Sequence, residues 1–231
     1  MATINDPTTA SLIARVGMAS GTTFVPQHVA PGPLSVGAGG GYRLSMQSGT
    51  MAVSFGANGE LFQFRYVTAA SRVALVHGIS ISAAMNVAAT SAVLLAFRAT
   101  VARAWTAAGS SGARAVLTGN NQKLRTAHAT SEVNDAGIST TTNLSIGTKT
   151  LDSQDIGSVS FSSLTGAITV ATDGVLVPKT NLLGEFSGSL AFPIVLANQE
   201  GVVIRSGANA FPAGMTWNFA VDIAWSEVDG F

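Results

Sequence analysis

Beyond residue 41, apolar and polar positions alternate with a period of two along much of the chain, the spacing of a strand with one face on a core and one toward solvent. The clearest run is Met215, Trp217, Phe219, Val221, Ile223 and Trp225, interleaved with Thr216, Asn218, Ala220, Asp222 and Ala224. It predicts a half-buried strand that anchors the core. The same alternation recurs at Met51/Val53/Phe55, at Phe62/Phe64/Tyr66 and at Val73/Leu75/His77/Ile79/Ile81, each bounded by Gly, Asn or small residues. Residues 92–108 are rich in Ala, yet Val93, Leu95, Phe97, Ala99 and Val101 alternate, and Leu94, Arg98 and Ala102 complete no polar helical face. A strand is predicted there too.

Residues 138–177 are rich in Ser, Thr and Gly with scattered Ile, Val and Leu, which predicts short strands joined by loops. Residues 190–196 and 202–204 add further strand segments. About eight to ten short strands with turn signals between them predict an all-β fold, a β-sandwich or jelly-roll-like domain. No repeat of fixed period points to a propeller or solenoid.

Residues 1–41 read differently. Pro7, Pro26, Pro31 and Pro33, followed by the glycine-rich run from Gly37 to Gly41, exclude a long helix or central strand. The expected organisation is an extended N-terminal arm over 1–41, with room for a short helix at 11–18, and a β-sandwich domain over 42–231.

Charge narrows the function classes. Charged residues make up 10% of the 231 residues and hydrophobic ones 47%, so much of the surface must be Ser, Thr, Asn, Gly and Ala. That composition suits a protein covered by neighbours. Twelve basic and twelve acidic residues cancel, and no basic cluster offers the footprint that phosphate backbones require, so no nucleic-acid partner is expected. No apolar run reaches the roughly 18 residues of a membrane-spanning helix, and the N-terminus has no uninterrupted apolar stretch of a secretory signal; no membrane partner is expected. With no cysteine in the chain, disulfides, thiolate metal sites and cysteine nucleophiles are excluded.

Candidate chemistry is sparse. The three histidines, His28, His77 and His128, lie far apart with no metal-ligand spacing; His77 falls on the apolar face of its strand, as a hydrogen-bonded structural residue would. Glu132/Asp135 and Asp152/Asp155 sit in polar, turn-like stretches, where solvated charges are the default. A calcium site there would need six or more oxygens from two carboxylates plus carbonyls. A glycosidase pair is defined by a spatial separation of carboxylates. Serines are plentiful, but no G-x-S-x-G elbow occurs, and the run at Gly37–Gly41 lacks the Lys-Ser/Thr of a phosphate loop and reads as a linker. Trp105, Trp217 and Trp225 would stack on sugars if exposed, but two of them belong to the apolar face of the last strand and are expected in the core. No catalytic, cofactor-binding or metal residue is assigned, no cofactor is expected, and the chain reads as a non-enzyme.

Several segments carry a resemblance: GYRLSMQSGTMAV, GELFQFRYVTAASRVALV, VARAWTAAGSSG, LTGNNQKLRT from Leu117, GTKTLD from Gly147, PIVLANQEGVVIR from Pro193 and the ending TWNFAVDIAWSEV. In this order they resemble a family of tailed-bacteriophage virion structural proteins, over about residue 41 to the C-terminus. The family's N-E-G-F-V-I-R step appears here from Asn198 to Arg205 with one residue more between Asn and Glu and Val in the aromatic place. The resemblance implies a component of the virion. Combined with a compact β domain, an arm and a surface of low charge, it leads to the expectation of a capsid decoration (cement) protein on the capsid surface, a homo-oligomer with a homotrimer favoured, partnered by the major capsid protein. Arm residues from Pro26 to Gly41 would make the shell contacts. The alternatives are a tail or fibre receptor-binding protein recognising a host glycan, which predicts exposed aromatic rings, and a glycan-degrading enzyme, which predicts two carboxylates converging in a cleft.

Overall fold

A computed structural model describes residues 40–51, 55–69, 71–163, 165–166, 175–183 and 193–229. Every described residue belongs to one compact unit, Gly37–Phe231. The predicted arm up to residue 39, its short helix at 11–18, His28 and most of the expected shell-contact segment therefore lie outside the described residues.

The described residues are all-β and form a β-sandwich of two antiparallel sheets. Sheet A places β1 (Gly40–Gln47) beside β11 (Thr216–Asp229), which in turn pairs with β3 (Arg72–Val87). The far edge of β3 is shared by β9 (Ile194–Leu196), opposite Ala74 to Val76, and β8 (Val175–Asn181), opposite Ser80 to Ala84. Sheet B runs in the order β5 (Ala113–Arg114), β6 (Val133–Ile138), β2 (Glu60–Tyr66), β10 (Glu200–Ser206), β4 (Leu94–Ala107) and β7 (Thr148–Ser162).

The period-two pattern becomes the core directly. From β11 come Trp217, Phe219, Val221, Ile223 and Trp225; facing them from sheet B are Phe62, Phe64, Tyr66, Val202, Ile204, Leu95, Phe97 and Ala99, all buried in one cluster. Aromatic rings join the sheets: Phe64 meets Trp225 edge-on at 5.0 Å, and Phe97 lies 5.7 Å from Trp217, which stacks on Phe211 at 4.3 Å. Such pairs add about 0.5–1.5 kcal/mol each beyond the apolar area they bury.

Four expectations need correction. In β3 the inward residues are Ala74, Val76, Ile79, Ile81, Ala83 and Met85, while His77 is exposed. Val76 pairs with Trp225 and Gly78 with Ala224, so His77 is the extra residue of a β-bulge, and the phase of the strand changes there. Val73, Leu75 and His77 consequently do not share the buried face. Met51 makes an isolated bridge to Trp217 and Phe55 is buried in a loop, so this run is no regular strand; Val53 lies outside the described residues. Among the described residues of the polar stretch 138–177, β7 is a single strand of 15 residues rather than short pieces, and β8 begins at Val175; as the edge of sheet B β7 needs little apolar alternation. Gly40 and Gly41, read as linker, open β1 and pair with Glu227 and Ser226.

Candidate functional site: the ion-paired outer face of sheet B

β2 is buried at all seven positions, on both faces of the sheet. Its second cover comes from the far end of the β4–β7 ribbon. Register shifts between Arg103 and Ala107 and a positive φ of 48° at Ala104 turn this end over the sheet. Trp105 then lies on Gly201 with Ala102, Val203 and Leu151 around it, forming a small apolar cluster separate from the main core. Arg65 fastens the ribbon by donating from Nε to the Trp105 carbonyl (2.9 Å) and from Nη2 to that of Thr106 (2.8 Å).

Registered pairings align side chains across this face. Arg114, Gly137, Gln63, Val203, Thr100 and Asp155 form one row, from β5 to β7. Gly137 has no Cβ to block the Arg114 side chain, which crosses it to donate to Gln63 Oε1 at 3.2 Å and to pair with Asp135 at 2.9 Å. At the other end Asp155 accepts from Thr100 Oγ1 (2.6 Å) and pairs with Arg205 (3.0 Å) and Arg98 (3.2 Å). Arg103 joins Asp152 at 2.9 Å and Glu200 at 2.5 Å.

Among the described residues the most deeply buried ion pair is Lys149 with Glu60, 2.8 Å apart, with side chains 0% and 4% exposed. The ammonium stands 4.5 Å from the centroid of the Trp105 ring, an orientation that the negative face of the indole favours. Lys149 also donates to the Ile146 carbonyl, and Gln63 Nε2 donates to Glu60 Oε2 (2.5 Å) and to the Ser145 carbonyl (2.8 Å). Burial lowers the Lys149 pKa from its ordinary value even with Glu60 beside it, and burial raises that of Asp135 against the pull of Arg114, Arg65 and Lys149.

A second polar cluster lies near the β1 edge. Glu227, 1% exposed, accepts from Ser131 Oγ (2.5 Å), the Glu132 backbone N–H (3.0 Å) and Trp225 Nε1 (3.1 Å). Burial nonetheless raises its pKa. Tyr42 stacks on Trp225 at 5.4 Å and donates to the Ala129 carbonyl at 2.9 Å; burial, then the Glu227 charge, push its pKa up to about 12.

The residues weighed from sequence are not brought together. His77 shares a hydrogen bond with Ser226 at 2.7 Å, and His128 Nδ1 receives the Gly41 N–H at 3.1 Å. Glu132 pairs with Arg72 at 3.8 Å, whereas Asp135 belongs to the Arg114 row. Asp152 and Asp155 lie inside β7, each held by arginine, rather than in a turn. Among the described residues no group of three or more His, Asp or Glu is placed to hold a metal, and no helix is long and apolar enough to cross a membrane. All three tryptophans are buried, but Trp105 on the opposite face of sheet B from the other two. A groove of about 380 Å³ runs between β1 and β5, lined by uncharged residues including Leu44, Met46, Ala115 and Gln122.

Comparison with protein-family models, characterised proteins and solved structures returns no match.

The Lys149, Glu60, Gln63 and Arg114 cluster has no motif in the sequence. Its one local signal is the polar pair Gln63 and Arg65 alternating against Phe62, Phe64 and Tyr66, which by itself marks a solvent-facing side.

Proposed function

We propose that the chain is a structural subunit of a bacteriophage particle, a decoration (cement) protein that oligomerises, with a trimer favoured, on the major capsid protein. The observation that carries this reading is the contrast between the two outer faces of the sandwich. Sheet B concentrates its charge in the closed ion-pair lattice described above. On sheet A the outward positions of β3 and β11 include Ser80, Ser82, Ala84, Asn218, Ala220, Ala224 and Ser226, with His77 at the bulge and Asp222 paired to Lys179 from β8. Small, mostly uncharged side chains let another protein surface approach the sheet closely with little charge to desolvate. The resemblance of residues 41–231 to virion structural proteins supports the same reading. The glycan-receptor alternative asks for exposed aromatic rings, and the three tryptophans are buried.

Cryo-electron microscopy of purified particles tests the proposal. Regularly spaced oligomers on the head, with the sheet A face turned toward a neighbour, are expected. Density confined to a tail tip, or absent from the particle, would overturn it.

A further inference from the structure

The cluster under Trp105 holds the parts of a chemical reaction. A single carboxylate oxygen, Glu60 Oε2, touches both the Lys149 amine (2.8 Å) and the Gln63 amide nitrogen (2.5 Å). The amine and the amide are anchored side by side, since they donate to the carbonyls of consecutive residues, Ile146 and Ser145. The orientation of the Gln63 amide follows from its partners: the nitrogen faces two acceptors, and the oxygen faces the Arg114 guanidinium at 3.2 Å. Gln63 is 0% and Glu60 3% exposed, and the Lys149 side chain is fully buried.

We propose that Lys149 forms an intramolecular isopeptide bond with Gln63, with Glu60 as proton shuttle and Arg114 as the group that polarises the carbonyl. In a buried pair, transfer of a proton from Lys149 to Glu60 exchanges two desolvated charges for two neutral groups and leaves a nucleophilic amine. Nζ attacks Cδ of Gln63 while Arg114 meets the charge that develops on Oε1. Glu60 delivers its proton to Nε2 and takes one from Nζ as the Cδ–Nε2 bond breaks. The Nζ–Cδ bond has formed, one ammonia has left carrying the Glu60 proton as ammonium, and no atom has changed oxidation state. The Trp105 indole, packed over the amine, keeps out water that would compete as nucleophile. The lowered Lys149 pKa is consistent with the neutral amine that the step requires.

The product would fasten β7 to β2 in a chain that has no cysteine for a disulfide. It stands independently of any place in a particle.

The test is the intact mass of the purified full chain. The expected mass is lower than that of the sequence by one ammonia. Tryptic digestion should yield the peptide ending at Arg65 joined to one that runs uncleaved through Lys149. Lys149→Arg and Glu60→Gln should each restore the full sequence mass, and Lys149→Arg should melt at a lower temperature than the wild type. A wild-type chain at its full sequence mass would overturn the proposal, as would an ammonia loss that maps to any other residue; neither outcome requires that a variant fold.

Discussion

The Trp105 indole rests so closely on Gly201 that a Cβ built at position 201 would meet its six-membered ring at 2.7 and 2.8 Å, with the Phe64 carbonyl oxygen nearer still. The nearest obstacle is the backbone of the neighbouring strand β2 and the next is the indole, so both the β2–β10 pairing and the ribbon end carrying Trp105 would have to shift for any larger residue to fit. Gly201→Ala is expected to destabilise the protein by about 1–3 kcal/mol, read in thermal unfolding as roughly 2–4 °C per kcal/mol for a chain of this size. An unchanged melting temperature would show that the ribbon end does not press on the sheet.

Asp155 joins three strands through one carboxylate. Burial by itself raises its pKa, but hydrogen bonds from Thr100 and Arg205 and the charges of Arg98 and Arg205 outweigh that effect and hold it below the ordinary 3.8. A carboxyl depressed in this way adds stability that is present above its unfolded value and lost as pH falls through the folded one. Asp155→Asn is expected to cost about 1–3 kcal/mol at neutral pH, with the difference from wild type shrinking below pH 3.8. Urea unfolding at both pH values measures it; a gap that does not change with pH would refute the assignment.

Glu227 has the opposite sign. Burial outweighs its donors Ser131, Glu132 N–H and Trp225 and raises its pKa above the ordinary 4.5. Its contribution to stability is therefore full below pH 4.5 and declines as pH rises through the folded value. Relative to Glu227→Gln, the wild type should gain stability as the pH is lowered from neutral toward 4.5. A wild type that instead loses ground to the variant over that interval would mean that the hydrogen bonds, not burial, dominate the site.

Where a strand packs one face on the core, the sequence was a good guide. Trp217 to Trp225, Phe62 to Tyr66 and Leu95 to Val101 all place their apolar set inward as the alternation predicts. The phase of β3 was illegible because a bulge inserts one residue, His77, without altering the apolar character of Val73 and Leu75. β7 was hidden for a different reason: an edge strand with mostly open faces carries Ser, Thr and Asp, the same residues that mark loops. The buried cluster at Lys149 depends on a ribbon folding over β2. No neighbour in sequence tells Gln63 or Arg65 that the face they occupy will be covered.

Sheet A sets residues 40–47 beside residues 216–229, and β11 lies between β1 and β3. On a ribosome, β1 and β3 emerge early with the place between them empty, and Trp217 and Trp225 arrive only after most of the other core side chains. Closure of this sheet thus waits for the last strand, as folds built on distant pairings do. A nascent chain halted before residue 216 would offer two open strand edges able to accept the β11 of another copy.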